Sequence, residues 1–144
     1  MPQNGYSLGR DTTIAVILPG GASLNLGKVI KFSSKSDTTD QKIKGMDGVT
    51  NHLRFFEGWS GSFELERMSP DLDTYFATLE SNYYAGIAEF AVTIQQTVAE
   101  ASGSVSQFSY QGAILKFDDA GDWAGDKAVS QKLTFLASRR IQQA

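Results

Sequence analysis

Cysteine is absent from this 144-residue chain, which excludes disulfides, thiolate zinc sites and cysteine nucleophiles together. Histidine occurs once, at His52, so a multi-histidine metal centre cannot form within one chain. Of the three prolines, none interrupts a stretch that reads as strand. No apolar run reaches membrane-spanning length. The opening MPQNGYSLGR lacks the basic and then apolar layout of a signal peptide, so the expectation is a chain made in the cytoplasm. The length fits one domain, residues 1–144, with a core of useful size.

Positive charge is missing from the middle. Between Arg67 and Lys116 there is no Lys, Arg or His, while Asp71, Asp73, Glu80, Glu89 and Glu100 all fall there. Basic residues gather before it (Lys28, Lys31, Lys35, Lys42, Lys44, Arg54) and after it (Lys127, Lys132, Arg139, Arg140). A nucleic-acid binder needs a continuous basic footprint, and this distribution does not supply one.

What is present is mostly strand. DTTIAVIL is β-branched and stops at Pro19-Gly20-Gly21. GKVIKFSSKS alternates with a modest apolar side. Residues 36–55 are polar and broken by Gly45 and Gly48, which suits either a long hairpin or a long extended loop reaching away from the core. In GWSGSFELER, Trp59, Phe63 and Leu65 point one way and Ser60, Ser62, Glu64 and Glu66 the other. One helix follows, over about 70–84: Ser69 suits the N-cap, Pro70 the first turn, and Asp71 and Asp73 the positive helix end. Its apolar stripe is Leu72, Tyr75, Phe76, Leu79 and Tyr83. EFAVTIQQTVAE and VSQFSYQGAILKF then form a hairpin around ASGS. Phe108 and Tyr110 are out of step with Leu115 and Phe117, which predicts a β-bulge at Gly112. KAVSQKLTFLASRR closes the chain with Val129, Leu133, Phe135 and Ala137 on one face. The fold class is therefore mainly β: two antiparallel sheets packed as a sandwich or half-barrel with one flanking helix.

Catalytic constellations are weak throughout. His52 with Asp47 or Glu57 makes at most half a dyad, and GWSGS does not have the spacing of a nucleophile elbow. Glu64 and Glu66 lie on one strand face rather than across a cleft, as glycosidase chemistry would need. PGGASLNLGK lacks the spacing and ending of a phosphate loop. Asp118, Asp119, Asp122 and Asp126 sit close in sequence but not at calcium-loop spacing, so the stretch reads as a turn, with Trp123 at its tip as a contact anchor. Neither catalytic residues nor cofactors are assigned. A small-molecule-binding β-barrel remains a rival class, and an enzyme the weakest one. The outward faces of the late strands carry Thr, Gln, Ser and Ala with few charges. Smooth edges of that kind are usually paired in an assembly.

EGWSGSFELER, the capped helix SPDLDTYFATLESNYYAG, VTIQQTV, FSYQGAILKFDDAGDWAGD and QKLTFLASRR, in that order after a long early loop, resemble phage tail tube proteins, most closely the tubes of contractile-tailed phages. The likeness runs from about Lys28 onward. It implies hexameric rings, with inner sheets joined into a barrel, that stack into a hollow tube for genome delivery; bacteriocin and type VI secretion tubes are the related alternative. It further implies an inter-ring role for the 36–55 segment, through Lys42, Lys44, Met46, Asp47, His52 and Arg54. The implied partners are further copies of itself, a tail sheath, a tape-measure protein, baseplate or initiator proteins and terminator proteins, in a virion tail. DNA would only pass through the lumen. Glu64 and Glu66, with the Thr/Gln/Ser faces, are expected at the lumen or its rim. Asp118, Asp119, Asp122 and Trp123 form a candidate contact turn.

Overall fold

A computed structural model describes residues 4–6, 8–24 and 26–143, so the first three residues, Ser7, Asn25 and Ala144 lie outside the described part. After a short 3-10 turn at Gly9–Asp11 come β1 (Thr12–Ile17), β2 (Ser23–Leu24), β3 (Lys28–Lys44), β4 (Thr50–Glu66), α1 (Asp71–Tyr84), β5 (Val92–Ala99), β6 (Val105–Asp119), β7 (Ser130–Ala137) and β8 (Arg139–Gln142). All pairings are antiparallel, in the order β2-β1-β5-β6-β7-β4-β3, with β8 also on β6.

The sheet folds back on itself at β6. The first half of that strand pairs with β5 and β8, and the second half, from Ile114, pairs with β7. The predicted irregularity is there: Val92 faces Ala113 and Ile94 faces Tyr110, so β6 carries one extra residue. Gly112 supplies it at φ +64°, a conformation that is inexpensive only for glycine. This extra residue brings Tyr110 and Leu115 to the same interior despite their opposite parity. Two leaves result, β2-β1-β5-β6-β8 and β6-β7-β4-β3, in the expected sandwich or half-barrel arrangement.

The core lies between them. Val16, Phe63, Ile94, Tyr110, Leu133 and Phe135 are fully enclosed. Phe32 stacks parallel to Phe135 with centroids 5.8 Å apart, and Tyr110 meets Phe135 edge-on at 5.4 Å. The Tyr110 hydroxyl is satisfied by Ser34 Oγ at 2.9 Å and lies 3.3 Å from Gln96 Oε1. Helix α1 adds Leu72, which is buried, and Phe76, stacked on Phe117 at 4.7 Å.

Three expectations change. Residues 36–55 are not an extended loop: β3 and β4 stay paired out to Lys44 opposite Thr50, and the turn closes through Gly45 N to Val49 O at 3.0 Å and Gly48 N to Gly45 O at 3.1 Å. The segment is a hairpin arm. The helix N-cap is Pro70 rather than Ser69, and the Ser69 hydroxyl only accepts from Asp71 N at a long 3.5 Å. Pro70 has ψ 3°, so the regular helix starts one residue later. A bulge between Val29 and Lys31 interrupts the alternation of β3, so Val29 and Phe32 both pack on the core while Ile30 is exposed.

The tightest backbone approach is at Gly61, where a Cβ would meet the Ser33 carbonyl oxygen and lie 2.6 Å from Phe135 Cε1. The ring could yield, but the backbone oxygen could not. Gly61→Ala is expected to lower unfolding stability by about 1–3 kcal/mol through overpacking, read as a reduced denaturant midpoint. A midpoint equal to that of the parent would show that β3 and β4 move apart freely there.

Candidate functional site

The candidate functional surfaces, among the described residues, are those where side chains face outward without a partner in the chain. The most prominent is the arm. Cross-strand partners share a face, and the register sorts its residues into two. Thr39 with Phe55, Gln41 with Leu53, and Ile43 with Asn51 make one face free of charge. Thr38 with Phe56, Asp40 with Arg54, Lys42 with His52, and Lys44 with Thr50 make the other. Four of the expected assembly residues (Lys42, Lys44, His52 and Arg54) thus fall on a single face. Met46 stands fully exposed in the turn. Asp47 Oδ1 accepts from Val49 N at 3.0 Å, which makes it a turn-former and not a partner for His52.

The second surface is the outward side of the leaf β6-β7-β4-β3. Glu64 lies between Lys31 of β3 and Lys132 of β7, and Lys132 Nζ is 3.6 Å from Glu64 Oε1. Glu66 lies opposite Lys28 and Ser130, whose hydroxyl donates to Glu66 Oε1 at 3.0 Å. Both glutamates do face away from the core. They belong to a ladder with lysines on either side, a pairing that joins residues up to 68 positions apart in the chain and that strand periodicity alone does not reveal. Half-exposed pairs of this kind contribute well under about 1 kcal/mol each, so their importance is in cancelling charge on the face.

The aspartate-rich turn divides its side chains among local tasks. Asp118 bonds Thr134 Oγ1, and Asp119 Oδ1 accepts from Gly121 N at 2.9 Å. Asp122 and Trp123 stay exposed, with the Arg67 guanidinium 5.1 Å from the Trp123 ring centroid. Arg67 Nε also donates to Asp73 Oδ2 at 2.8 Å. Asp73 Oδ1 accepts from Gln131 Nε2 at 3.0 Å, and that amide donates as well to the Ala120 carbonyl at 3.1 Å. Gln131 is 1% exposed. One polar chain therefore ties the turn, β7, the start of α1 and the end of β4 together.

The third surface is an open groove of about 520 Å³ between the C-terminal half of α1 and residues 87–90, lined by Leu18, Tyr75, Leu79, Tyr83, Glu89 and Phe90 among others. Tyr83, Ile87 and Phe90 are exposed there, and Tyr84 is exposed next to it, although Tyr83 belongs to the helical apolar stripe of the sequence and Phe90 is in phase with the buried Val92 and Ile94. Burial pushes the Tyr75 phenol above its ordinary value, and the nearby Glu89 carboxylate adds to that shift.

Removing Asp73 leaves the buried Gln131 amide short of an acceptor and Arg67 without its carboxylate. Asp73→Ala is expected to cost about 1–3 kcal/mol of stability, whereas Asp71→Ala in the same helix turn should cost less than about 1 kcal/mol. Chemical denaturation of the two variants checks the order, and equal losses would refute the role given to the Asp73–Gln131 pair.

No family model matches the chain, and no curated protein matches it in sequence. Solved structures do resemble it in fold. All of the chain (100%) superposes on 95% of a chain from the anti-feeding prophage tube terminating cap, with TM-score 0.68 at 10% identity. A chain from the sheath/tube terminator of the extracellular contractile injection system PVC, in the extended state, gives TM-score 0.67 at 11% identity, covering 99% of this chain and 100% of that one. A chain from the PVC sheath–tube complex gives 0.58 at 11% identity, covering 91% and 88%. The folded antiparallel sheet with one helix is thus an architecture found in contractile injection particles.

Proposed function

We propose that the chain is a structural subunit of a tail tube, forming rings of six that stack into a hollow conduit of a contractile phage tail. The observation that supports this most directly is end-to-end likeness in fold to chains from contractile injection particles. The arm and the open edges of β3 and β8 fit a subunit completed by its neighbours. In this reading the arm, residues 36–55, reaches the adjacent ring, and sheath, tape-measure, baseplate or initiator and terminator proteins are the other partners. Glu64 and Glu66 line the bore or its rim. With Lys31 and Lys132 beside Glu64, the two glutamates offset part of that wall's lysine charge and so weaken its hold on a polyanion. DNA passes without specific binding.

Two neighbouring readings share the fold. A tube-terminating ring is favoured by the higher likeness to cap and terminator chains, 0.68 and 0.67 against 0.58. The tube of a bacteriocin or type VI secretion-like injection system would differ in cargo. Negative-stain microscopy separates the first from a tube subunit: a tube protein yields tubes of varied length, and a terminator stops at single rings. Monomers alone at high concentration, with or without an initiator complex, would overturn the ring reading.

Arm deletion gives a second check. Replacing residues 39–51 with a short linker removes exposed ribbon and no buried residue. The variant is expected to keep a cooperative thermal transition within a few degrees of the parent and to form no tubes. Loss of the transition would place the arm in the folding unit, and normal tubes would remove it from assembly.

A further inference from the structure

Two surfaces without a partner in the chain have opposite chemistry. On the arm's charged face, Lys42, Lys44 and Arg54 outnumber Asp40, and Phe56 is 76% exposed beside them. Beyond the last contact with β7 at Trp59, the arm runs on from Asp37 to Lys44, a reach of about 25 Å at strand rise. A two-stranded ribbon is marginal on its own, so a surface elsewhere would steady it.

The α1 groove has the complementary character. Glu89 lies within it and Glu80 stands on the exposed side of the same helix end. No basic residue occupies the last turn of α1, so the negative end of the helix dipole is unopposed. No cationic side chain is supplied by residues 68–115 at all. Exposed Tyr83 and Tyr84 rings add faces that attract cations.

We infer that the charged face of the arm of one copy docks on the α1 groove of a second copy. Lys42 and Lys44 meet Glu80, Glu89 and the carbonyl end of α1, and Phe56 with the lysine stems covers the tyrosines. This rests on the ring-stacking reading and names the two surfaces that it joins. Because donor and receptor surfaces differ, the contact is heterologous and propagates from copy to copy rather than closing into a dimer.

A charge swap tests it. Lys42→Glu/Lys44→Glu and, separately, Glu80→Lys/Glu89→Lys are each expected to raise the concentration at which sedimenting assemblies appear by about tenfold or more. Combining all four changes in one chain should restore the parental value. Since the chain has no cysteine, Lys44→Cys with Glu80→Cys gives a readout free of background: mild oxidation should produce covalent multimers. Lys44→Cys with Thr13→Cys, on the outward side of the other leaf, should not. Circular dichroism melts of every variant separate lost docking from lost fold. Unchanged assembly after either reversal, failure of the combined variant to recover, or equal cross-linking by the two cysteine pairs overturns the docking. A parent that forms no rings but gives the Lys44–Glu80 cross-link would overturn only the ring reading, and rings without that cross-link only the docking.

Discussion

Everything in this molecule depends on one strand belonging to two leaves. At Gly112 the chain of β6 turns, and Ser138, the single residue between β7 and β8, turns beside it, its N–H donating to the Gln111 carbonyl at 2.9 Å. A Cβ on Gly112 would lie 2.7 Å from Ser138 Oγ and would hold a positive φ, so both space and conformation favour glycine. Because two hydrogen-bonded strands bend together, no ladder is left open at the corner. The bend brings Ile94 and Tyr110 over Phe63, Leu133 and Phe135, and an apolar face that would be wet in a flat sheet becomes the core. Burial of side chains this large is worth about 1.5–3 kcal/mol each, far more than the local irregularity of one bulge.

The same corner launches the arm. β4 follows β7 as far as Trp59, opposite Ala137, and then passes through Gly58 at φ +106°, where a Cβ would sit 2.5 Å from the Ala137 carbonyl oxygen. Beyond it β4 pairs with β3 alone. Arg140 covers the junction, with its guanidinium carbon 3.6 Å from the Phe108 ring centroid and 4.9 Å from that of Trp59. Cation–π contacts of this kind contribute from about 0.5 to 2 kcal/mol, and here they join β8, β6 and β4 at the root of the arm. The direction in which the arm leaves is thus set by the fold of the body and not by the arm's own sequence.

Much of this was legible from residue order alone. The helix follows from its own spacing, whereas the short β2 and β8 are not marked in the sequence. The longer strands and the bulge at Gly112 follow from parity, because inward residues must alternate unless a residue is inserted. The outward placement of Glu64 and Glu66 follows from the same rule. The arm was ambiguous because both of its faces meet solvent, so no hydrophobic contrast marks its register. The helix cap shifted because Ser69 and Pro70 both suit a start and only the backbone torsions choose between them. The lysine partner of Glu64 on β7, the chain from Arg67 through Asp73 to Gln131, and the groove beside α1 were out of reach for another reason. Each joins elements distant in sequence, and local pattern carries no information about which strands become neighbours.

The two leaves also differ in what they can be buried against. The outward side of β1, β5 and the first half of β6 carries Thr13, Ala15, Ile17, Thr93, Gln95, Thr97 and Gln107, with no charged residue among them, and β8 adds the exposed Arg139 at its end of the leaf. The outward side of the other leaf carries Lys28, Lys31, Lys35, Lys116 and Lys132 with Glu64, Glu66 and Asp118. Taking a charge ladder out of water costs several kcal/mol per ion unless every partner stays in place, whereas threonine and glutamine faces lose little when their hydrogen bonds are exchanged. An assembly of identical copies that must bury one leaf and wet the other is therefore expected to bury the one with fewer charges. That leaves the ladder with Glu64 and Glu66 against water, the position that the proposed bore requires.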